Sequence, residues 1–227
     1  MAIMAGNQCY HSPADLPERI PVFPLRGALL LPSGQLPLNI FEPRYVAMVD
    51  EALRGPRLVG MIQPRPEPGG APAEAPPALC EIGCVGRLVQ LGETGDGRYL
   101  VTLAGICRFR VVKEIEAATP FRQCRVDAAA FPGDFDPRRG EAEVDREAVL
   151  RTFRAYLDAN GLEADWESIE RASNCGLVTA LSMMSPWGPE EKQALLEAPD
   201  HRARAEALIA ITEFALAGDG GAPPMVQ

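Results

Sequence analysis

The sequence predicts an α+β protein: a small β-barrel with one embedded helix, followed by a C-terminal helical bundle. Two observations lead to this fold class. Over residues 18–130 the apolar residues form short runs, several alternating with polar residues, between turns rich in Pro and Gly. Over residues 143–217 they recur at helical spacing instead. A barrel is expected because a closed sheet leaves few strand edges exposed.

The strands are predicted from short apolar or alternating segments. The first four are apolar runs over residues 20–25, 29–31, 36–40 and 57–62. Residues 81–92 and 98–104 flank a segment, residues 93–97, whose glycines suit a tight turn, so they predict a hairpin. Charged and apolar side chains alternate over residues 107–115 and 121–129, as they do in half-buried strands.

The embedded helix is predicted over residues 43–53. Pro43 suits the first helical position, because the N–H that proline lacks has no partner there in any case. One apolar face then follows at positions i, i+3, i+4 and i+7, formed by Tyr45, Met48, Val49 and Ala52. This stretch therefore predicts an amphipathic helix.

A polar boundary at residues 131–142 precedes the helical part. The first helix there has an apolar face and ends at Gly161; the residues of that face are Val149, Phe153, Tyr156 and Leu157. Residues 167–184 predict a second helix, and residues 189–196 predict a short third one that opens on a proline.

The last helix is predicted to begin after Asp200, which suits an N-cap, and to end at Gly218. Its expected buried face consists of Ala207, Leu208, Ile211 and Phe214. Three segments are predicted to be flexible. They are the N-terminus over residues 1–17, the Pro- and Gly-rich loop 64–78, and the tail 218–227.

Charge and hydropathy exclude several classes of function. The formal net charge is −9, and by count it falls entirely on residues 131–227, since residues 1–130 hold equal numbers of acidic and basic side chains. Nucleic acid attracts basic faces, so no nucleic-acid partner is expected. No run of 18 apolar residues and no signal peptide is present, so no membrane partner and a cytoplasmic location are expected.

Catalytic groups are sparse in this sequence. No Gly-x4-Gly-Lys-Ser/Thr loop surrounds Lys113 or Lys192, which argues against a P-loop ATPase. The two histidines are His11, in the N-terminal segment, and His201, at the start of the last helix. His201 and Lys192 are expected at the surface, so neither is a good candidate for a catalytic base. We therefore expect no enzymatic activity and no cofactor.

The cysteines are expected to be reduced and mostly buried, as in a cytosolic chain. The six are Cys9, Cys80, Cys84, Cys107, Cys124 and Cys175. The alternative is a zinc site formed by Cys80, Cys84, Cys107 and Cys124. Structural zinc sites usually contain close C-x2-C pairs, and the sequence has none, so no metal is predicted.

Several motifs resemble those of the N-terminal, substrate-binding domain of Lon proteases. They occur in the family's order over roughly residues 18–217. The segments are PVFPLR (21–26), LLLPSG (29–34), PLNIFEPRY (37–45), IGCVG (82–86), GRY (97–99), LAGICRFRV (103–111), EKQALLE (191–197) and the last helix over 202–214. The resemblance implies a PUA-like β-barrel followed by a helical bundle, in a stand-alone form that lacks the ATPase and protease domains.

Candidate partner-binding residues come from these motifs and from one apolar cluster. They are Arg26, Glu42, Arg44, Arg108, Arg110, Met183, Met184 and Trp187. Structural roles compete with binding for most of them. Glu42 can stabilise the helix start and Arg44 can pair with an acid, while Arg108 and Arg110 are expected on a solvated strand face, opposite Phe109. Phe41 and Tyr45 are expected in the core.

The cluster of Met183, Met184 and Trp187 has two interpretations. Methionine and large aromatic side chains suit adaptable apolar binding, but they also suit packing at a helix end. The function predicted from the resemblance is a binding module for unfolded or extended polypeptide, or an adaptor for a protease partner. The alternative is a PUA-like barrel that binds a small molecule or RNA. No oligomeric state is predicted.

Overall fold

The computed structural model of the protein describes residues 2–65 and 76–218. Its strands are β1 (Ile3–Ala5), β2 (Gln8–Tyr10), β3 (Arg19–Pro24), β4 (Gln35–Ile40), β5 (Leu58–Ile62), β6 (Ile82–Glu93), β7 (Tyr99–Ile115) and β8 (Gln123–Asp127). Its helices are α1 (Pro43–Arg54), α2 (Arg146–Asn160), α3 (Trp166–Arg171), α4 (Asn174–Met184), α5 (Pro189–Glu197) and α6 (His201–Gly218). The chain is α+β, as predicted. The predicted loop 64–78 lies mostly, and the predicted tail 218–227 almost wholly, outside the described residues.

Six strands form one mixed sheet in the order β4-β7-β6-β5-β3-β8. β3 and β5 are parallel, and the other neighbouring pairs are antiparallel. β8 also pairs with β7, so the pairings of β7, β6, β5, β3 and β8 make a circuit, with β4 attached to β7 outside it. This circuit is compatible with the predicted barrel, whose closure remains a prediction.

The segment Leu29–Leu31 is buried but is not a strand, in contrast to the prediction. It lies against two glycines of the sheet. A Cβ on Gly105 would overlap the Leu31 carbonyl, and a Cβ on Gly86 would come within 2.7 Å of Leu30. β7 continues through Gly105, so the two strands predicted over residues 98–104 and 107–115 form one strand over residues 99–115.

The N-terminal segment, predicted to be flexible, instead forms the β1–β2 hairpin. Gly6 turns the chain with a φ of +62°, a conformation that glycine adopts without strain. Ile3, Ala5 and Tyr10 are buried in a cluster that includes Phe109. This alternation of buried and exposed residues is a short strand pattern that composition alone did not reveal.

Helix α1 confirms the helix predicted over residues 43–53. Tyr45, Met48, Val49 and Ala52 are all buried, and they belong to the larger core cluster. Phe41, also expected in the core, is 61% exposed because it precedes the helix and lies outside its buried face.

The C-terminal helices follow most of the predicted boundaries. α2 ends at Gly161, which has a φ of +62°. The single helix predicted over 167–184 is two helices, α3 and α4, because Ser173 adopts an extended conformation and caps α4 by accepting a hydrogen bond from Gly176 N–H at 3.2 Å. None of the helices in the described ranges is both long and apolar enough to cross a membrane.

Asp200 caps α6 as predicted, accepting a hydrogen bond from Ala203 N–H at 2.9 Å. The buried face of α6 differs from the prediction. Of the four predicted residues, Leu208 is buried. The other buried residues of the helix recur at helical spacing and include polar side chains; they are His201, Arg204, Ala205 and Thr212. Phe214, expected on that face, is 81% exposed.

Candidate functional site

An open groove of about 340 Å³ separates the start of β4 from helix α4. Its walls are the turn Ser33–Gln35 on one side and the face of α4 on the other; the full lining is Ser33, Gly34, Gln35, Pro137, Arg138, Cys175, Gly176, Thr179, Ala180, Met183, Met184 and His201. Most of the lining surface is apolar. We call this cavity the methionine groove.

Met184 is the most exposed large apolar side chain of the groove, at 83%. It occupies the last position of α4, directly before Ser185 and Pro186 end the helix. Met183 is half-buried and lies so close to Gly34 that a Cβ on that glycine would overlap its Sδ. One methionine therefore forms the floor of the groove against the β4 turn, and the other projects from its rim.

Lys192 holds the end of α4 in place. Its Nζ donates a hydrogen bond to Met183 O at 3.3 Å, which satisfies a helix-end carbonyl with a cation. The side chain was predicted at the surface, but it is buried, and burial lowers the pKa of Lys192 from its usual value. Its role in the structure is thus to support the methionine groove.

Trp187 does not line the groove. Its ring packs on Tyr156 of α2 with centroids 5.2 Å apart, and it contacts the main core. Of the two interpretations of this cluster, helix-end packing applies to Trp187, whereas Met183 and Met184 both face the groove.

Arg108 is only 3% exposed, so its predicted place on a solvated face is wrong. Its guanidinium donates to both carboxylate oxygens of Asp134, at 2.9 and 2.6 Å. Its Nη1 also donates to carbonyls at the end of α5, the closest being Ala198 O at 2.7 Å. The turn containing Asp134 and the α5–α6 connection cover β7 here, and Arg108 joins the sheet to the helices.

Arg204 of α6 lies beside this ion pair. Its Nε donates to Leu195 O at 2.9 Å, and burial together with the nearby Arg108 lowers the pKa of Arg204 to about 10. Arg108 thus pairs with Asp134, whereas the Arg204 guanidinium donates to backbone carbonyls at the C-terminal end of α5, those of Leu195 and Ala198.

The remaining arginine candidates are exposed and away from the groove lining. Arg110 pairs with Glu81 at 3.1 Å. Arg44 pairs with Glu42 at 2.7 Å, as expected, and also lies 4.6 Å above the Tyr45 ring. Glu42 occupies the N-cap position of α1 but makes no side-chain capping bond. Arg26 is exposed in the loop after β3.

The cysteines of the suggested zinc site do not converge. In the described part of the chain, no group of three or more His, Cys, Asp or Glu side chains is placed to hold a metal. Burial raises the pKa of Cys84 and of Cys107, and it raises the pKa of Cys124 to about 11.

Comparison with known proteins identifies the family. Residues 19–213 match the model of the ATP-dependent protease La (LON) substrate-binding domain. The chain belongs to this family. Lon protease 2 of Myxococcus xanthus is 31% identical over 196 residues, which are 84% of this chain and 23% of that protein. Lon protease of Anaeromyxobacter dehalogenans is 28% identical over 191 residues, 84% of this chain and 22% of that protein. The Lon-type domain thus spans about a quarter of these relatives.

Two solved structures share the fold of this Lon-type domain. The Lon N-terminal domain protein from Xanthomonas campestris has a TM-score of 0.56 and 22% identity, covering 85% of this chain and 97% of that one. The N-terminal domain of the Mycobacterium avium complex Lon protease has a TM-score of 0.60 and 18% identity, covering 86% of this chain and 98% of that one.

Three residues of the Lon-type domain have roles that sequence reasoning did not anticipate. Asp134 pairs with Arg108, Arg204 lies close enough to Arg108 for its pKa to be lowered, and His201 is buried and lines the methionine groove. The His201 imidazole contacts Pro137 O through Nε2 at 3.1 Å, and burial, the largest cause, lowers its pKa. Asp134 and Arg204 are far from Arg108 in the sequence, so their proximity to it could not be predicted. The one signal in the sequence was a charged residue inside an apolar motif, as Arg108 is in CRFRV.

Proposed function

We propose that this Lon-type domain binds unfolded or extended polypeptide, and that it does so at the methionine groove. The observation that carries the proposal is an open, mostly apolar groove with Met184 projecting from its rim. Covering a fully exposed methionine side chain yields about 1.5–3 kcal/mol. A few such contacts account for the micromolar binding expected of a module that samples many sequences.

The chemistry of methionine suits variable partners. Its unbranched, polarisable side chain adapts to apolar groups of different shape, as promiscuous binding surfaces require. Met183 supports this role from below, because Gly34 and Lys192 fix its position. A fixed Met183 beside an exposed Met184 can contact apolar side chains of different shape, so binding does not demand one sequence.

We further propose that the domain acts by binding, without catalysis, and that it can serve as an adaptor for an ATP-dependent protease partner. The residues nearest to a catalytic set, His201 and Lys192, are engaged with the backbone carbonyls of Pro137 and Met183. The comparisons that name Lon proteases support the partner class.

The test is the affinity for a reduced, carboxymethylated protein that cannot fold, measured by fluorescence anisotropy. Met184→Asp should weaken binding about tenfold, because a carboxylate would have to lose its water on contact with apolar side chains. Phe214→Asp is the matched control, since Phe214 is an equally exposed apolar residue on α6 outside the groove. This control should bind within about twofold of the wild type.

Two results would contradict the proposal. One is binding no stronger than that of an inert carrier protein. The other is an equal loss in the Met184 and Phe214 variants, which would mean nonspecific adhesion. Retention on RNA that weakens with salt would instead favour the nucleic-acid alternative. Copurification of a full-length ATP-dependent protease would support the adaptor role.

A further inference from the structure

Strand β4 is an edge of the sheet. It pairs only with β7 among the strands of the described residues. Gly105 N–H donates to Gly34 O at 2.8 Å, which fixes the alternation of the antiparallel ladder. Backbone N–H and C=O groups point to opposite edges of a strand at successive residues. Those of Leu36, Leu38 and Ile40 therefore face β7, as the carbonyl of Gly34 does. The backbone groups of Gln35, Pro37 and Asn39 therefore point away from the sheet.

The outward groups of β4 have no other partner in the described structure. No hydrogen bond outside the β4–β7 ladder involves the backbone of residues 35–40. Pro37, which lacks an N–H, occupies an outward position, where it removes no ladder bond. This edge thus presents the N–H groups of Gln35 and Asn39 and the carbonyls of all three outward residues.

Charged side chains, which usually protect exposed edges, are missing from β4. Residues 27–41 contain no Asp, Glu, Lys or Arg. Natural proteins block edge strands with lysines, bulges or prolines, because an unpaired edge accepts another strand. Here the only such residue within the strand is Pro37, which leaves the donors on either side of it available.

Apolar depressions lie at both ends of the strand. The methionine groove begins at Ser33, Gly34 and Gln35. A second depression, of about 510 Å³, is lined without any charged side chain by residues 37–39, 90–92 and 100–102. Leu91 and Leu100 are both exposed there. The side chains of an added strand would alternate between the two faces of the sheet and reach these surfaces.

We propose that β4 captures its polypeptide as an additional β-strand. The occupant is an extended segment of about six uncharged residues, roughly 20 Å long at the rise of a strand. Backbone hydrogen bonds to Gln35, Pro37 and Asn39 supply affinity that does not depend on sequence, and the two depressions select apolar side chains. This inference rests on the proposed function and specifies the conformation in which the polypeptide is bound.

The test uses a labelled ten-residue peptide of alternating valine and threonine. Two analogues carry N-methyl groups, one on alternate residues and one on every residue. A strand bound along one edge uses the N–H groups of one parity only, so the first analogue keeps a complete edge and should bind within about twofold of the parent, whereas the second should bind about tenfold more weakly. Equal binding of the parent and the fully methylated analogue would overturn the inference.

A variant of the protein tests the same contact from the other side. Asn39→Pro removes one outward N–H and leaves the ladder to β7 intact, so it should weaken peptide binding about tenfold. Asn39→Thr keeps the N–H and is the matched control, expected within about twofold. Equal urea midpoints for both variants would show that folding is unchanged, and the methylated peptides provide the test if Asn39→Pro does not fold.

The outcomes separate this inference from the proposed function. In one outcome, binding of the carboxymethylated protein depends on Met184 but not on Asn39, and N-methylation does not weaken peptide binding. This outcome would refute strand addition and leave the proposed function in place. No binding of any polypeptide would refute both. Sedimentation that shows a dimer of the free protein, dissociated by Asn39→Pro, would mean that a second copy of the chain is the occupant, and this would also overturn the inference.

Discussion

Replacing Arg108 with methionine should be among the most destabilising single changes in this protein. The substitution keeps most of the buried volume but removes the guanidinium's bonds to Asp134 and to the carbonyls at the end of α5, and it leaves Asp134 the bond from the residue 108 backbone N–H at 2.8 Å. Breaking a buried ion pair from one side costs about 3–5 kcal/mol, since the partner's charge stays buried without its counter-charge. Arg204 is repelled by Arg108 and can approach Asp134 once Arg108 is gone, so we expect about 3 kcal/mol.

The assay is equilibrium unfolding in urea followed by circular dichroism. With a slope of about 2 kcal/mol per molar urea, a loss of about 3 kcal/mol lowers the midpoint by about 1.5 M. Arg110→Met is the matched control, two residues along the same strand. Its pair with Glu81 is exposed, so its loss should cost less than about 1 kcal/mol.

A double variant separates the charge from the packing. Adding Asp134→Asn to Arg108→Met should restore part of the lost stability, because the buried carboxylate then carries no charge. If Arg108→Met costs no more than Arg110→Met, or if the added Asp134→Asn destabilises further, Arg108 does not join the sheet to the helices through a charge-dependent contact.

Three further predictions follow from particular contacts. The lowered pKa of His201 means that the unfolded state binds the proton first, so stability should fall as the pH drops through about 6.5, and His201→Phe should remove that dependence in pH-dependent melting curves. Gly105→Ala should cost about 2–3 kcal/mol in urea unfolding, because its Cβ would overlap the Leu31 carbonyl. Phe214→Ser should leave the melting temperature nearly unchanged, since the ring is exposed.

Local patterns in the sequence predicted the elements that depend on neighbouring residues. Pro43 and the apolar spacing after it gave the bounds of α1, Gly161 gave the end of α2, and Asp200 gave the start of α6. These signals work because capping and helical periodicity act over one or two turns. The break between α3 and α4 was missed because Ser173 looks the same as any serine inside a helix until its side chain is seen to cap.

The candidate site was predicted only in part. Met183 and Met184 were named from their residue type, and both line the groove, whereas Trp187 from the same cluster packs on Tyr156. The groove itself could not be predicted, because its other wall is the turn before β4, some 140–150 residues earlier in the chain. Which side chains meet across such a distance depends on the packing of the sheet against the helices.

By itself the sequence determined the fold class, the family and most helix boundaries, since each depends on residues that are close in the chain or on motifs in a fixed order. Only the tertiary structure decided which charged residues are buried. Arg108 and Arg110 are two residues apart in one motif. Arg108 is nevertheless enclosed by Asp134 and the end of α5, whereas Arg110 pairs with Glu81 at the surface. Burial of a charge is settled by what covers it, and here the covering elements lie 26 or more residues away.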